Sequence, residues 1–521
     1  IEFPTIIFNL IADAFKSPQP QFMLLTDDLL LDYKRCQRRT FLNIYGDRAH
    51  QQPPRDFLLK LREENQQKIQ EILAGRTYAQ PQFERRDWQE GGHQTRILMA
   101  EGVELIYRGI LFVKGDREKI QNTENSEDLS ASSLDYLGKP TFLIKYPGSS
   151  IWGDWLYIPV NVKLGKRAKP EYKTIAAFHA YLLMGIQGIS PPHAKLLLRG
   201  KNPYCVDLAM GIPRMLEVLQ NCRKMLLDRD EPEVFISRQR CSLCHWSDYC
   251  HAIARDQNHL SLVPGVTPSR YEALQTINVN TLEALATLDL SVDAKLIEPE
   301  IVAQLQLQAR SLQSNRPFLR PIGTDQSYNT FPSASVELYF DLEAQPDRNV
   351  DYLFGVLCVN HHSKTEKFYS FLAEKPEEEG FVWQQFLALV ARYPHAPIFH
   401  FSDYEVETFK RLTKLYKNTP FPLKDILSRF VDIHHWVTET VILPVESYSL
   451  KSLANWLGFT WRDSEVAGDR VVCLYDNWLK GGDRSALETI LRYNEDDCRA
   501  TYHLKTWFEQ FWRNSSSYRD L

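Results

Sequence analysis

The sequence predicts an α/β protein built from two or three domains, on three observations. The chain has 521 residues, more than one hydrophobic core supports when a domain averages roughly 150 residues. Hydrophobic residues make up 44%, charged residues 24% and aromatics 12%, the balance of a folded globular chain. In the last third, Val336, Leu338, Phe340 and Leu342 alternate with Glu337, Tyr339, Asp341 and Glu343. That two-residue period gives a strand one apolar face, and further strand and helix periods follow it.

The elements read as follows along the chain. A mixed region runs to about Cys250 and contains a helix from Phe57 to Leu73. Its polar stretch Asp116 to Ser133 reads as an exposed loop or insertion. A short helical segment spans about Leu260 to Leu312, and Pro317, Pro321, Gly323 and Pro332 mark Ser314 to Pro332 as a linker. After the strand at Val336 come strand-like runs at Tyr352 to Val359 and Lys367 to Ala373. A helix at Glu379 to Arg392, a short strand at Pro397 to Phe401 and a helix at Tyr404 to Tyr416 complete the order. The expected divisions are 1–255, 256–313, a linker at 314–332 and 333–521.

A net charge of −5 gives no whole-molecule attraction to nucleic acid, so any such binding must rest on local basic patches. No run of about 18 apolar residues occurs, and the apolar stretch Ile1 to Phe15 carries Glu2 and Asp13 without a basic leader. A cytoplasmic location is the expectation. Nine cysteines in so long a chain do not read as a disulfide scaffold.

Phosphodiester cleavage by two metal ions needs several carboxylates converging on ions about 3.5–4 Å apart. Asp341 and Glu343 share one face of a strand and supply half of such a clamp. In the helical pattern Tyr493-Asn494-Glu495-Asp496-Asp497-Cys498, Tyr493 and Asp497 are four apart and share a helix face. Asp497 can be the far ligand, and the Tyr493 hydroxyl can orient an attacking water. These motifs, with their order of three strands, a helix and a strand, resemble the DEDD exonuclease superfamily of ribonuclease H-like fold, in its tyrosine subclass. The resemblance covers about 185 residues and implies 3′→5′ exonuclease activity with Mg²⁺ or Mn²⁺. The family's middle motif, Asn-x-x-x-aromatic-Asp, is matched here only by His400-Phe401-Ser402-Asp403-Tyr404-Glu405. Glu405 is the expected third acid and Asp403 the alternative. Asp432 is an outer-shell candidate.

Cys241, Cys244 and Cys250 place three thiols in ten residues, a spacing that suits metal chelation. With the string Tyr33 to Leu42 around Cys36, they resemble the iron–sulfur staple of RecB-like nucleases, which implies a [4Fe–4S] cluster on Cys36, Cys241, Cys244 and Cys250. Zinc on the same thiols is the alternative, with His245 or Cys222 able to substitute. The same resemblance implies a PD-(D/E)XK restriction-endonuclease-like fold, whose metal-binding acids fall at Thr141 in Gly138-Lys139-Pro140-Thr141 and at Asn161 in Asn161-Val162-Lys163. Both positions are neutral, and Glu64-Asn65-Gln66-Gln67 stands where the family carries a histidine. The expectation is a degenerate nuclease that holds nucleic acid through Lys163, Lys166 and Arg167; the alternative is cleavage through Glu101, Glu104 and Asp154.

The segment Leu262 to Arg270, with Gly265 at its turn, and the following Asn280 to Leu285 look like a helix-hairpin-helix that offers backbone N–H groups to a phosphate. The whole order resembles a family of bacterial RecB-like nucleases. It implies an exonuclease acting on nucleic acid, with single-stranded DNA ends the expected substrate, DNA repair or processing the setting, and a helicase or repair protein a candidate partner. The rival is a non-catalytic nucleic-acid-binding or scaffold protein built from decayed nuclease folds.

Overall fold

The computed structural model describes residues 23–115, 134–200, 202–289, 297–320, 331–417 and 422–516. The expected loop Asp116 to Ser133, the stretch Ile1 to Phe15 and the middle of the expected linker lie outside the described residues. The chain divides into two compact units, one formed largely by residues up to Tyr249 and the other largely from Cys250 onward.

The first unit holds two sheets. β1 (Met23–Thr26) leads into helix α1 (Asp27–Arg35), whose N-cap Thr26 accepts the Leu29 N–H. Helices α2 (Gln37–Tyr45), α3 (Asp56–Leu73) and α4 (Trp88–Ala100) follow. β2 (Leu105–Tyr107), β5 (Phe142–Ser150), β6 (Gly153–Val162), β7 (Ala194–Leu197) and β8 (Tyr204–Val206) form a five-stranded sheet in that order, while β3 (Leu111–Val113) and β4 (Leu134–Gly138) join β1 in a smaller one. β5 and β6 pair antiparallel, and β6 and β7 pair parallel. A parallel pair needs a crossover, supplied by helix α5 (Pro170–Gln187). It is apolar nearly all round, with Ile175, Ala176, Phe178, Ala180, Leu182 and Leu183 all buried, because it packs on β6 and β7 of one sheet and on β3 and β4 of the other. Helix α6 (Leu208–Asp228) packs against it.

The second unit opens with helices α7 (Pro268–Thr276), α8 (Leu282–Ala286) and α9 (Pro299–Ser314) around a small core of Leu260, Leu274, Leu285 and Ala309. Within the expected linker, β9 (Phe318–Leu319) forms a strand. Its partner is β15, Val441–Ile442.

β10 (Val336–Gln345), β11 (Val350–Asn360) and β12 (Thr365–Leu372) make an antiparallel meander, and β13 (Ile398–His400) and β14 (Phe430–Asp432) extend it in parallel on the β10 side. Around it lie helices α10 (Glu379–Arg392), α11 (Tyr404–Tyr416), α12 (Ile433–Thr440), α13 (Leu450–Trp456), α14 (Gly468–Gly481) and α15 (Arg484–Ser516), with a short helix at Leu423–Leu427.

Central strand β10 is covered on both faces. Leu338, Phe340 and Leu342 enter one core with Phe386, Phe409 and Tyr475, and Tyr339 enters another with Phe399, Leu504 and Phe508. The alternation therefore does not separate core from solvent: Glu337 is 1% exposed, held by Lys505 Nζ at 2.9 Å, the Tyr339 hydroxyl at 2.6 Å and His361 at 2.9 Å. Lys505 sits on α15, and the pair neutralises two charges that neither could carry alone in that interior.

Candidate functional site

β10 and α15 carry the acids. With a strand period of two, Asp341 and Glu343 leave β10 on the same face, over which α15 lies. Asp497 comes from α15 to meet them, and one oxygen of each of the three carboxylates lies within 4.8 Å of the others. Glu343 and Asp497 are buried and Asp341 half-buried.

Burial pushes Asp341 well above the usual carboxylate range, and the charges of Asp497, Glu343 and Glu405 push it further. Glu343 is raised in the same way by burial, Asp497 and Glu405. Asp497 is pushed up to about 7 by burial, against hydrogen bonds from Trp461 and Tyr493 that favour its charged form. Like charges this close in a low-dielectric pocket are unfavourable unless a cation joins them. The donor set is thus what a hard divalent ion requires.

Glu405, in the first turn of α11, is 4% exposed and accepts the Ser402 hydroxyl at 3.1 Å, with His400 Nδ1 at 3.6 Å. Its charge acts on Asp341 and Glu343, whereas Asp403 stands at the N-cap position without a side-chain capping bond and is exposed. Ser402 has φ 124°, a conformation that L side chains rarely adopt. It is tied on three sides: its N–H donates to Asp432, its carbonyl accepts from His400, and its hydroxyl donates to Glu405. Asp432 also caps α12 through the N–H groups of His434 and His435. The Tyr493 hydroxyl bonds Asp497, and burial followed by the surrounding carboxylates raises it far above the ordinary phenol value.

Three contributors have no signal in their own local sequence. Asn494 Nδ2 donates to Asp341 Oδ2 at 2.6 Å, and Trp461 Nε1 donates to Asp497 Oδ1 at 2.8 Å. Gly355, opposite Asp341 on β11, leaves the space that Asn494 occupies, and a Cβ there would overlap Asn494 Oδ1. Of the acidic run, Glu495 and Asp496 turn to Arg462 instead, at 2.9 and 2.8 Å.

Cys36 lies between α1 and α2; Cys241 ends the short helix Arg238–Cys241, and the Cys244 N–H donates to the Cys241 carbonyl at 3.0 Å. Burial raises the Cys244 thiol, and the charges of Cys36 and Cys241 raise it further; among the described residues the cysteine sulfurs do not form a group of three within 4.8 Å of one another. Cys250 lies on the helix Ser247–Asp256, within which the chain passes from the first unit to the second. No cysteine is in a disulfide. His245 bonds Asn43 at 2.8 Å, and Cys222 is enclosed on α6, where burial pushes its thiol up to about 12.

Thr141, Asn161 and Lys163 line one cavity of about 490 Å³ in the first unit, together with Asn65 and the unanticipated Asp27, Asp28 and His179. Lys166 and Arg167 are exposed on the loop after β6. Glu101, Glu104 and Asp154 are exposed and do not line it, and Glu104 pairs with Lys145 at 3.1 Å. Gly265 has φ 94° in the turn before α7, where its carbonyl accepts Arg270 at 2.7 Å.

Residues 338–509 match the family model of the RNase_H superfamily. No curated protein matches the chain. The C-terminal domain is ribonuclease H-like, in a mixed α/β chain of more than one compact unit. Domains of this superfamily are generally nucleolytic, act on nucleic acid and use divalent metals, and Asp341, Glu343 and Asp497 form an acidic triad able to hold one.

Proposed function

We propose that the ribonuclease H-like domain is a 3′→5′ exonuclease that uses Mg²⁺ or Mn²⁺, with Asp341, Glu343, Glu405 and Asp497 holding two ions and Tyr493 orienting the attacking water. The convergence of carboxylates from β10 and α15, raised by one another's charge, is the observation that carries this reading. Bound ions would generate the nucleophile and stabilise the leaving oxygen. The protein's own part is to hold these oxygens fixed: Asn494 orients Asp341, Trp461 and Tyr493 orient Asp497, and Ser402 orients Glu405. The substrate in this reading is DNA with single-stranded ends, in repair or processing, in the cytoplasm and with a helicase or repair protein as partner.

For the first unit we infer a RecB-like PD-(D/E)XK fold without catalytic acids, since Thr141 and Asn161 offer only neutral oxygens at its cavity. We read Cys36, Cys241, Cys244 and Cys250 as ligands of a [4Fe–4S] cluster, with zinc as the alternative, on the spacing of the three later cysteines and the resemblance around Cys36. The turn at Gly265 and the capped start of α7 support the helix-hairpin-helix reading. The test of the main reading is metal-dependent digestion of end-labelled single-stranded DNA and RNA by wild type and Asp341→Ala. Shortening from the 3′ end by wild type alone supports it. Equal digestion by both refutes it, and binding without digestion favours the decayed scaffold.

A further inference from the structure

Glu405 belongs to α11, a different element from the β10 and α15 that carry the other three acids, so whatever fixes α11 fixes the fourth ligand. The apolar face of α11 does part of this, with Phe409 and Leu412 entering the core beside Phe386 and Leu338. Burial of that kind has no direction, and a catalytic constellation must be held within about 0.5 Å of its productive geometry.

The directional contacts of α11 converge on two buried carboxylates. Tyr404 and Arg411 stand two turns apart and share a helix face. Both donate to Asp351, Tyr404 through its hydroxyl at 3.2 Å and Arg411 through Nη2. The same Arg411 nitrogen donates to Glu379 Oε1 at 2.8 Å, the Tyr416 hydroxyl donates to Glu379 Oε2 at 2.6 Å, and the Asp351 N–H donates to Glu379 Oε1 at 2.8 Å. Glu379 opens α10, and Asp351 lies on β11 opposite Ala344, where the pairing of β10 and β11 shifts just after Glu343. One network thus grips α11 at its first and last residues and joins it to the strand position beside Glu343.

Asp351 is 3% and Glu379 4% exposed, and Arg411 is the one cation paired with either among the described residues. Two buried carboxylates against one guanidinium make a poor staple where stability alone is at stake, since apolar residues of similar volume often serve as well or better. What the charged network adds is orientation, because charge-assisted hydrogen bonds are short and specific in geometry. We propose that Arg411 and Tyr404 are positioning residues of the metal centre: through Asp351 and Glu379 they lock the rotation and axial register of α11, and so hold Glu405 in place against Asp341 and Glu343. The assignment presupposes the nuclease reading, in which Glu405 is a metal ligand.

The test is Mn²⁺ binding to the full chain without a strand, followed by electron paramagnetic resonance, together with Mn²⁺-dependent cleavage. Tyr404→Phe removes one hydroxyl from a ring that is 49% exposed. Asp351→Asn combined with Arg411→Gln removes two opposite charges together and keeps the net charge of the network. Circular dichroism checks the fold of each. Both should weaken Mn²⁺ binding about tenfold, the loss typical of groups that orient a ligand. The Mn²⁺ concentration at half-maximal cleavage should rise by a similar factor, and excess Mn²⁺ should restore the rate. In a Glu405→Gln background neither change should weaken Mn²⁺ binding further, since the ligand they position is already gone. Lys410→Met, which removes a surface pair with Glu407 on the same helix, should behave as wild type. Unchanged Mn²⁺ binding in folded variants, or an equal loss with and without Glu405, overturns the proposal. So does a rise in KM for the strand with Mn²⁺ binding untouched, which would make Tyr404 a strand contact. Mn²⁺ binding that follows the expected pattern in a wild-type chain that cleaves nothing would leave the positioning role standing and sink the nuclease reading alone.

Discussion

Asp497 is fixed by two hydrogen bonds of different origin, one from Tyr493 on its own helix and one from Trp461. Groups that orient a ligand without touching the ion typically cost about 10–100-fold in activity or metal affinity when removed. Trp461→Phe keeps an aromatic side chain but loses the N–H together with part of the indole's packing, so it should lower metal-dependent cleavage by that factor while circular dichroism still reports a folded chain, and excess Mn²⁺ should partly restore it. Undiminished cleavage at limiting metal would show that the indole does not position Asp497. Gly355→Ala probes the other side: the new methyl and Asn494 cannot both be accommodated. Overpacking of this kind costs about 1–3 kcal/mol. Here it should also displace Asp341, so activity should fall at temperatures where circular dichroism still reports a folded chain.

At the scale of elements, the junction of β1 and α1 is held by a buried polar tie. Asp27 accepts from His179 on α5 and from the Lys139 N–H just after β4. Burial alone pushes Asp27 up, but His179 and Lys139 outweigh it and leave it below the ordinary value of 3.8. A carboxylate held low when folded stabilises the fold above its unfolded pKa, and that contribution is lost as pH falls through the folded value. Wild type should therefore melt at a higher temperature than Asp27→Asn at neutral pH, with the gap closing below about pH 4. A gap that stays constant to low pH would mean that the charge of Asp27 is not what is lost.

The strands and helices of the C-terminal domain were legible because hydrophobic period survives in sequence, and so was the shared face of Asp341 and Glu343. The burial of Glu337 was not, because Lys505 lies 168 residues away. Trp461 was invisible for the same reason, 36 residues from the carboxylate it holds. Asn494 stood inside a motif already singled out, but its role depends on a glycine of the neighbouring strand. The cavity positions Thr141, Asn161 and Lys163 were found by resemblance, and Asp27 and His179 emerge only when distant segments fold together.

Taken as a whole, the molecule has described helices none of which is long and apolar enough to cross a membrane, and carboxylates that could bind a hard cation gather only in the ribonuclease H-like domain among the described residues. In the full chain, Asp497→Ala should abolish cleavage while sparing binding, and Lys163→Ala should leave the chemical step intact, with at most weaker binding and a shallower salt dependence. Cleavage that survives Asp497→Ala and vanishes in Lys163→Ala would move the chemistry to the first unit. The pair of Glu337 and Lys505 bears on how such a chain can drift. α15 carries both Asp497 and Lys505, eight residues apart, so the helix cannot slip or rotate without stranding a charge in the interior. Either partner changed alone should cost about 3–5 kcal/mol, whereas replacing both by apolar residues can be nearly neutral. Lineages are thus expected to exchange this pair together or not at all, a covariation readable in any collection of related sequences, and Glu337→Leu should rescue the melting temperature lost in Lys505→Met.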